Sequence, residues 1–197
     1  MFARALVLGL CLLAAMAPDV ALTGVPAPIA ATTSGAPAAE AYQAAPAALP
    51  VADATPARLL ISKIGVNATI EARGLDANRT ILTPRDYRDV AWYNLGPLPG
   101  QPGNALLNGH VDWWTGAAVF TRLSELRPGD TVTIVRGDGS RLTFKVTGRR
   151  IVTADARLAS LFAPSKVPSL TLITCTGAWD PSILSDTHRL LVSAVLV

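Results

Sequence analysis

A mostly-β domain, either a sandwich or a barrel, is what this sequence predicts for residues 58–197. Short β-branched runs recur between Pro/Gly turns over that stretch. Two of them, Thr131-Val132-Thr133-Ile134-Val135 and Leu142-Thr143-Phe144-Lys145-Val146, flank Gly137-Asp138-Gly139-Ser140, which is a strong hairpin signal. Only two stretches have helical character. Many short strands with tight turns and few helices bury their apolar faces best as packed or closed sheets.

Ahead of this domain the chain does not read as globular. Met1 to Arg4 carries one positive charge, and Ala5 to Ala17 is an apolar run of 13 residues. A membrane span needs about 20 apolar residues, so the run fits a signal-peptide core better. Ala15-Met16-Ala17 has the small-x-small form of a cleavage site, but Pro18 follows it. Residues 1–17 are therefore expected to be a signal peptide or an uncleaved membrane anchor. Leu10 precedes Cys11 where a small residue is usual, which argues against lipid attachment there. Residues 18–57 are Ala/Pro-rich, with Pro at 18, 26, 28, 37, 46, 50 and 56, and carry three charged residues. Such a segment buries too little apolar area to offset the entropy of ordering it, and recurrent Pro keeps it extended: a spacer. The folded domain is then 58–197.

Within it the elements follow in order. Leu59 to Ile64 and Ala68 to Ala72 are strands around Gly65-Val66-Asn67, and Ala105 to Leu107 is a short strand ending at Asn108-Gly109. Ala118 to Leu126 reads as a helix closed by Arg127-Pro128-Gly129, and the 131–146 hairpin follows. Asp155 to Phe162 reads as a second helix, with Asp155 as its cap. Leu170 to Thr174 and Leu190 to Val197 are nearly all apolar, as strands buried on both faces are. Residues 58–197 carry 16 Lys+Arg and 11 Asp+Glu, a net of +5. The basic residues are scattered, and no basic stripe with interleaved aromatics is present, so nucleic acid is not an expected partner.

The chemistry concentrates at Ser169-Leu170-Thr171-Leu172-Ile173-Thr174-Cys175-Thr176-Gly177, where an apolar strand stops at a cysteine. The other cysteine is Cys11, in the export-like segment. In an exported protein Cys175 lacks a disulfide partner, so it is either inert and buried or there to react. Acyl transfer by a cysteine needs a thiolate, a proton carrier for the leaving amine, and donors for the oxyanion. The chain has two histidines. His110 sits in Leu106-Leu107-Asn108-Gly109-His110-Val111-Asp112-Trp113-Trp114, at the mouth of a strand, where a side chain reaches a cleft. His188 adjoins Arg189, whose charge disfavours the imidazolium and makes His188 the poorer acid. Arg189 opens the last strand and Cys175 closes the one before it. If the two pair antiparallel, guanidinium and thiol share a cleft, and the cation favours the thiolate.

The order of strand with Gly-His, strand with Thr-Cys, then Arg with strand resembles the sortases, cysteine transpeptidases of bacterial surfaces. The resemblance spans roughly 58–197. It includes Trp92-Tyr93 before the Gly/Pro-rich loop from Gly96 to Gly103, Asn108 to Asp112, Val119-Phe120 with Leu123, and Leu126-Arg127-Pro128-Gly129-Asp130. It continues through Leu170 to Cys175 and Arg189-Leu190-Leu191-Val192, and within the family it looks most like classes E and F. The resemblance implies a closed β-barrel of about eight strands with one or two short helices. It implies that Cys175 attacks the Thr carbonyl of a Leu-Pro-x-Thr-Gly-like sorting signal and that His110 protonates the departing Gly amine. Arg189 would stabilise the oxyanion or orient the peptide. An amine on a peptidoglycan precursor or a pilin would resolve the thioacyl enzyme. Partners would be surface proteins with a C-terminal sorting signal, and the enzyme would work outside the cytoplasm, on the membrane or secreted.

The loop from Thr176 to Arg189 departs from the family in carrying Thr176-Gly177-Ala178-Trp179-Asp180-Pro181 and His188, so substrate preference stays open. Trp113-Trp114 either wall the groove or pack in the core, with core favoured for one of the two. No acidic cluster has metal-ligand spacing, so the calcium use of some sortases is not carried over, and no cofactor is expected. The alternatives are an L,D-transpeptidase-like enzyme, whose Ser-x-Gly-Cys segment is missing at Thr174-Cys175-Thr176, another cysteine peptidase, or a non-catalytic envelope-binding β-domain.

Overall fold

The structure, a computed structural model, describes residues 53–197. The expected signal or anchor segment and most of the expected spacer lie outside the described residues.

Eight strands close into one barrel. β1 (Pro56–Ile61) turns through a 3₁₀ segment at Ser62–Ile64 into β2 (Val66–Arg73). Gly65 ends that turn at φ +71°, left-handed backbone that favours glycine. β3 (Val90–Tyr93) lies parallel to β2, and β4 (Gly103–Asn108) runs antiparallel to β3. A two-residue-per-arm hairpin follows, β5 (Asp112–Trp113) with β6 (Gly116–Ala117). β7 (Thr131–Arg136) and β8 (Arg141–Thr153) form the expected hairpin, with Val132 opposite Phe144 and Ile134 opposite Leu142. β9 (Pro168–Asp180) and β10 (Ser185–Leu196) complete the set. Around the barrel the order is β1, β2, β3, β4, β9, β10, β8, β7, and β7 pairs back to β1.

Strand alternation decides what is inside. Leu59, Ile61, Leu107, Ile134, Phe144, Leu170, Leu172 and Val192 belong to the central cluster and are almost wholly shielded. Each contributes about 1.5–3 kcal/mol by burial of its side chain. Leu106, Thr171 and Leu191, at the alternate positions of β4, β9 and β10, are buried too, so these strands are covered on both faces. A 3₁₀ turn, Ala159–Phe162, meets β4 where Asn104 Nδ2 donates to the Leu161 carbonyl at 3.1 Å, and Thr171 Oγ1 donates to Asn104 Oδ1 at 3.0 Å.

The two expected helices reduce to single 3₁₀ turns. Between Ala118 and Leu126 only Leu123–Glu125 is helical, and the amides of Thr121, Leu123, Glu125 and Leu126 all bond three residues back. Phe120, Leu123 and Leu126 are each fully buried. Their spacing of three suits the eclipsed faces of a 3₁₀ path and not a 3.6-residue period. At the second stretch Asp155 bonds Thr153 instead of capping, and only Ala159–Phe162 turns. β9 and β10 are longer than their apolar cores suggest, running together to Asp180 and Ser185 beyond Thr174 and Leu190. Residues just ahead of 58 join the sheet: the Asp53 and Thr55 carbonyls accept the Asp138 and Gly137 amides, and Pro56 pairs with Arg136.

Candidate active site

Cys175 and Arg189 are direct cross-strand partners in the antiparallel β9–β10 pair. Neither ends its strand, as the sequence had suggested; both sit well inside. Cross-strand partners share a face. Leu170, Leu172 and Thr174 alternate inward on β9, as Leu190 and Val192 do on β10, so Cys175 and Arg189 occupy the outward positions. The Arg189 guanidinium turns back along its own strand. Nη1 donates to the carbonyls of Asp186 and His188, both at 2.8 Å, and Nη2 donates to Ser185 Oγ at 2.8 Å.

His110 is brought to Cys175 through Gly109. The Gly109 amide donates to the Ile173 carbonyl at 3.1 Å, and the buried Thr174 hydroxyl donates to the Gly109 carbonyl at 2.8 Å. The His110 carbonyl accepts the Phe120 amide at 2.9 Å. The residue beside the cysteine thus anchors the residue beside the histidine. Only glycine fits at 109: a Cβ there would lie 2.7 Å from Val119 Cγ1 and 2.9 Å from Phe120 Cδ2. His110 Nε2 lies 3.4 Å from the Pro84 carbonyl oxygen. A carbonyl only accepts, so this contact is a hydrogen bond in the tautomer that carries its proton on Nε2.

Both side chains line one cleft of about 670 Å³, with Thr83, Val111, Asp112, Trp113, Trp114, Trp179, Leu184, Ser185 and Asp186. Trp113 stacks on Tyr87 with centroids 5.9 Å apart, meets Trp114 at 4.6 Å and presents an edge contact to His110 at 5.0 Å. Neither Trp113 nor Trp114 lies in the central cluster, contrary to the expectation of one core tryptophan. They follow the strand end, where the β5–β6 hairpin carries them over the cleft, and Trp114 is 87% exposed.

The electrostatics of the thiol are a contest. Burial pushes the Cys175 thiol above the usual cysteine range. The Arg189 charge pulls the other way, while the carboxylates of Asp186 and Asp112 add to the upward push. The expectation that the cation beside the thiol favours the thiolate holds for the sign of its effect, but burial outweighs it. Among the described residues no group of three or more His, Cys, Asp and Glu side chains is placed to hold a metal ion.

The structure brings together Cys175, His110 and Arg189. It leaves His188 elsewhere: adjacent to Arg189 on β10, it faces the opposite side of the strand, with Nδ1 2.9 Å from Thr187 Oγ1. Ser185, Asp186, Thr83 and Pro84 had no sequence signal. The last two lie 27 and 26 residues before His110 in the chain, and only the fold sets them beside the imidazole.

A family model described as the Sortase domain matches residues 59–197. No curated protein matches the chain. Among solved structures, the fold is similar to sortase C-1 from Actinomyces oris at 27% identity, covering 71% of this chain and 72% of that one, with a TM-score of 0.56. It is similar to sortase C1 from Streptococcus agalactiae at 25% identity, over 72% and 66% of the two chains, with a TM-score of 0.55. Sortase A from Corynebacterium diphtheriae shares the fold at 24% identity, over 73% and 60%, with a TM-score of 0.55.

Proposed function

This chain belongs to the sortase family, and on that footing we propose that it is a cysteine transpeptidase acting on sorting signals outside the cytoplasm. The observation that carries the reading is the cross-strand Cys175–Arg189 pair, with His110 on the same cleft. Cys175 attacks the Thr carbonyl of a Leu-Pro-x-Thr-Gly-like peptide, forming a C–S bond and a tetrahedral oxyanion. Burial disfavours the thiolate at Cys175, so the thiol proton leaves as attack proceeds, and His110 is the group to receive it. His110 returns the proton to the Gly amine as the C–N bond breaks. Arg189 offsets the charge on the oxyanion or holds the peptide. An amine of a peptidoglycan precursor or a pilin then attacks the thioester, restoring an amide and the free thiol. The class E/F likeness, the location outside the cytoplasm and the role of residues 1–17 as a signal peptide or an uncleaved anchor are part of this reading.

The test uses the full chain and internally quenched peptides varied at the five sorting-signal positions. Cys175→Ala is expected to abolish cleavage. His110→Ala and Arg189→Ala are expected to lose about 10²–10⁴-fold each, with His188→Ala mild. A crippled His188→Ala with an active His110→Ala overturns the proton assignment. No thioacyl mass on Cys175 with any peptide overturns the transpeptidase reading.

A further inference from the structure

The antiparallel β9–β10 ladder breaks register beside the active site. His188 pairs with Thr176, but the next pair is Asp186 with Trp179, so β9 carries one extra residue there. Gly177 sits in that bulge at φ +96°, where a Cβ would lie 2.6 Å from Thr187 Oγ1 and 2.9 Å from His188 Nδ1. The bulge therefore needs glycine. In an unbroken ladder Asp186 would share the face of His188, two residues on. The bulge instead brings the Asp186–Trp179 pair to the side of Cys175, and both residues line its cleft. Across the cleft stands the β5–β6 hairpin, with Asp112 and the Trp113–Trp114 contact at 4.6 Å. Each wall supplies one carboxylate and indole surface. Among the described residues, no lysine or arginine lines the cleft, and neither aspartate is in an ion pair; the pairs are Lys63–Asp130, Arg88–Asp86 and Arg122–Glu125. Arg189, across from Cys175, directs its hydrogen bonds to Ser185, Asp186 and His188 of its own strand. In a domain of net charge +5, the cleft at the nucleophile is negative.

We propose that this cleft seats the acceptor of the transfer as a primary ammonium, held between the Asp112 and Asp186 carboxylates and against the faces of Trp114 and Trp179. The inference rests on the transpeptidase reading and names the acceptor's chemistry: a cationic amine at the end of an apolar chain, as on a lysine side chain. Carboxylates accept short, charge-assisted hydrogen bonds from an ammonium. Indole faces attract the same cation, and their apolar area suits the methylenes behind it. Trp114 and Trp179 are 87% and 62% exposed, so their faces are open to such a chain. An anionic acceptor would be repelled by both walls, and a neutral one would gain only the apolar part. In becoming an amide N–H the ammonium loses two protons. As the C–N bond forms and the C–S bond breaks, one proton reaches the Cys175 sulfur through His110 and the other leaves to solvent.

The test lets two acceptors compete for one thioacyl enzyme in the full chain. A cleaved sorting peptide is mixed with Nα-acetyl-lysine amide and with hydroxylamine, which is uncharged at neutral pH. The ratio of lysine product to hydroxamate is read by mass spectrometry, and it is independent of how fast the thioacyl enzyme forms. Asp112→Asn and Asp186→Asn are each expected to lower that ratio about three- to tenfold, and Trp179→Ala about two- to fivefold. In the wild type the ratio falls as NaCl rises from about 0.05 to 0.5 M, because salt screens the carboxylates. A second readout needs no turnover. Nα-acetyl-lysine amide is expected to slow alkylation of Cys175 by iodoacetamide, while the uncharged Nα-acetyl-norleucine amide does not. An unchanged ratio in Asp112→Asn/Asp186→Asn, a ratio flat with salt, or equal protection by the two amides overturns the ammonium seat. If the wild type makes neither product while lysine amide alone protects Cys175, the seat stands and the transpeptidase reading fails.

Discussion

Thr174→Val probes the link between the cysteine strand and the histidine turn with almost no change of shape. The Thr174 side chain sits in a residue only 3% exposed, and its hydroxyl donates to the Gly109 carbonyl at 2.8 Å. Valine replaces that hydroxyl by a methyl and leaves a buried carbonyl without its partner, at a cost of about 1–3 kcal/mol. For the 145 residues described, an unfolding entropy near 2.1 cal/mol/K per residue sums to about 0.3 kcal/mol/K. Each kcal/mol then lowers Tm by about 3 °C, so Thr174→Val is expected to melt about 3–10 °C below wild type in scanning calorimetry. Thr174→Ser retains the bond and loses one methyl, and is expected to fall between the two. Because His110 follows Gly109 directly, the same substitution should lower peptide cleavage beyond what the unfolded fraction explains. A Thr174→Val protein melting within 1 °C of wild type, with unchanged cleavage, would refute the anchoring of His110 through Thr174.

Two further outcomes follow from the same geometry. Gly109→Ala places a Cβ 2.7 Å from Val119 Cγ1 and 2.9 Å from fully buried Phe120, so it should cost about 1–3 kcal/mol by overpacking, read as a lowered urea midpoint. Gly148→Ala, whose Cβ would meet nothing within 4 Å, is the control expected to stay near wild type. The pH dependence of thiol alkylation has a definite sign. Only the thiolate reacts, and burial raises the Cys175 thiol, so its half-maximal rate should lie at higher pH than that of free cysteine under the same conditions. Asp186→Asn removes a charge that opposes the thiolate and should move the profile down; Arg189→Met removes one that favours it and should move the profile up. Opposite shifts would show that the local field has been misread.

Strand content was legible because period-two alternation and turn residues are local signals. The β7–β8 hairpin is visible in Val132, Ile134, Phe144 and the glycines between them. The Ala118–Leu126 stretch misled because Phe120, Leu123 and Leu126 fit a loose helical pattern, and three-residue spacing separates from 3.6 only over longer runs. β3 was missed because a four-residue strand is held by its neighbours, β2 and β4, rather than by its own pattern.

The sequence by itself determined the chemical cast: a cysteine at the end of an apolar run, a histidine after a glycine, an arginine leading into the final apolar strand. Residue type and local pattern suffice for that, since nucleophile, proton carrier and cation are properties of single side chains. Tertiary structure decided their relations. The β9–β10 register set Cys175 opposite Arg189, and alternation turned His188 to the other face. The Thr174–Gly109 bond carried His110 to the same cleft, and Ser185 came to meet the Arg189 guanidinium. These depend on contacts between residues distant in the chain, and on burial, which raised the thiol that an isolated Cys–Arg pair would have lowered.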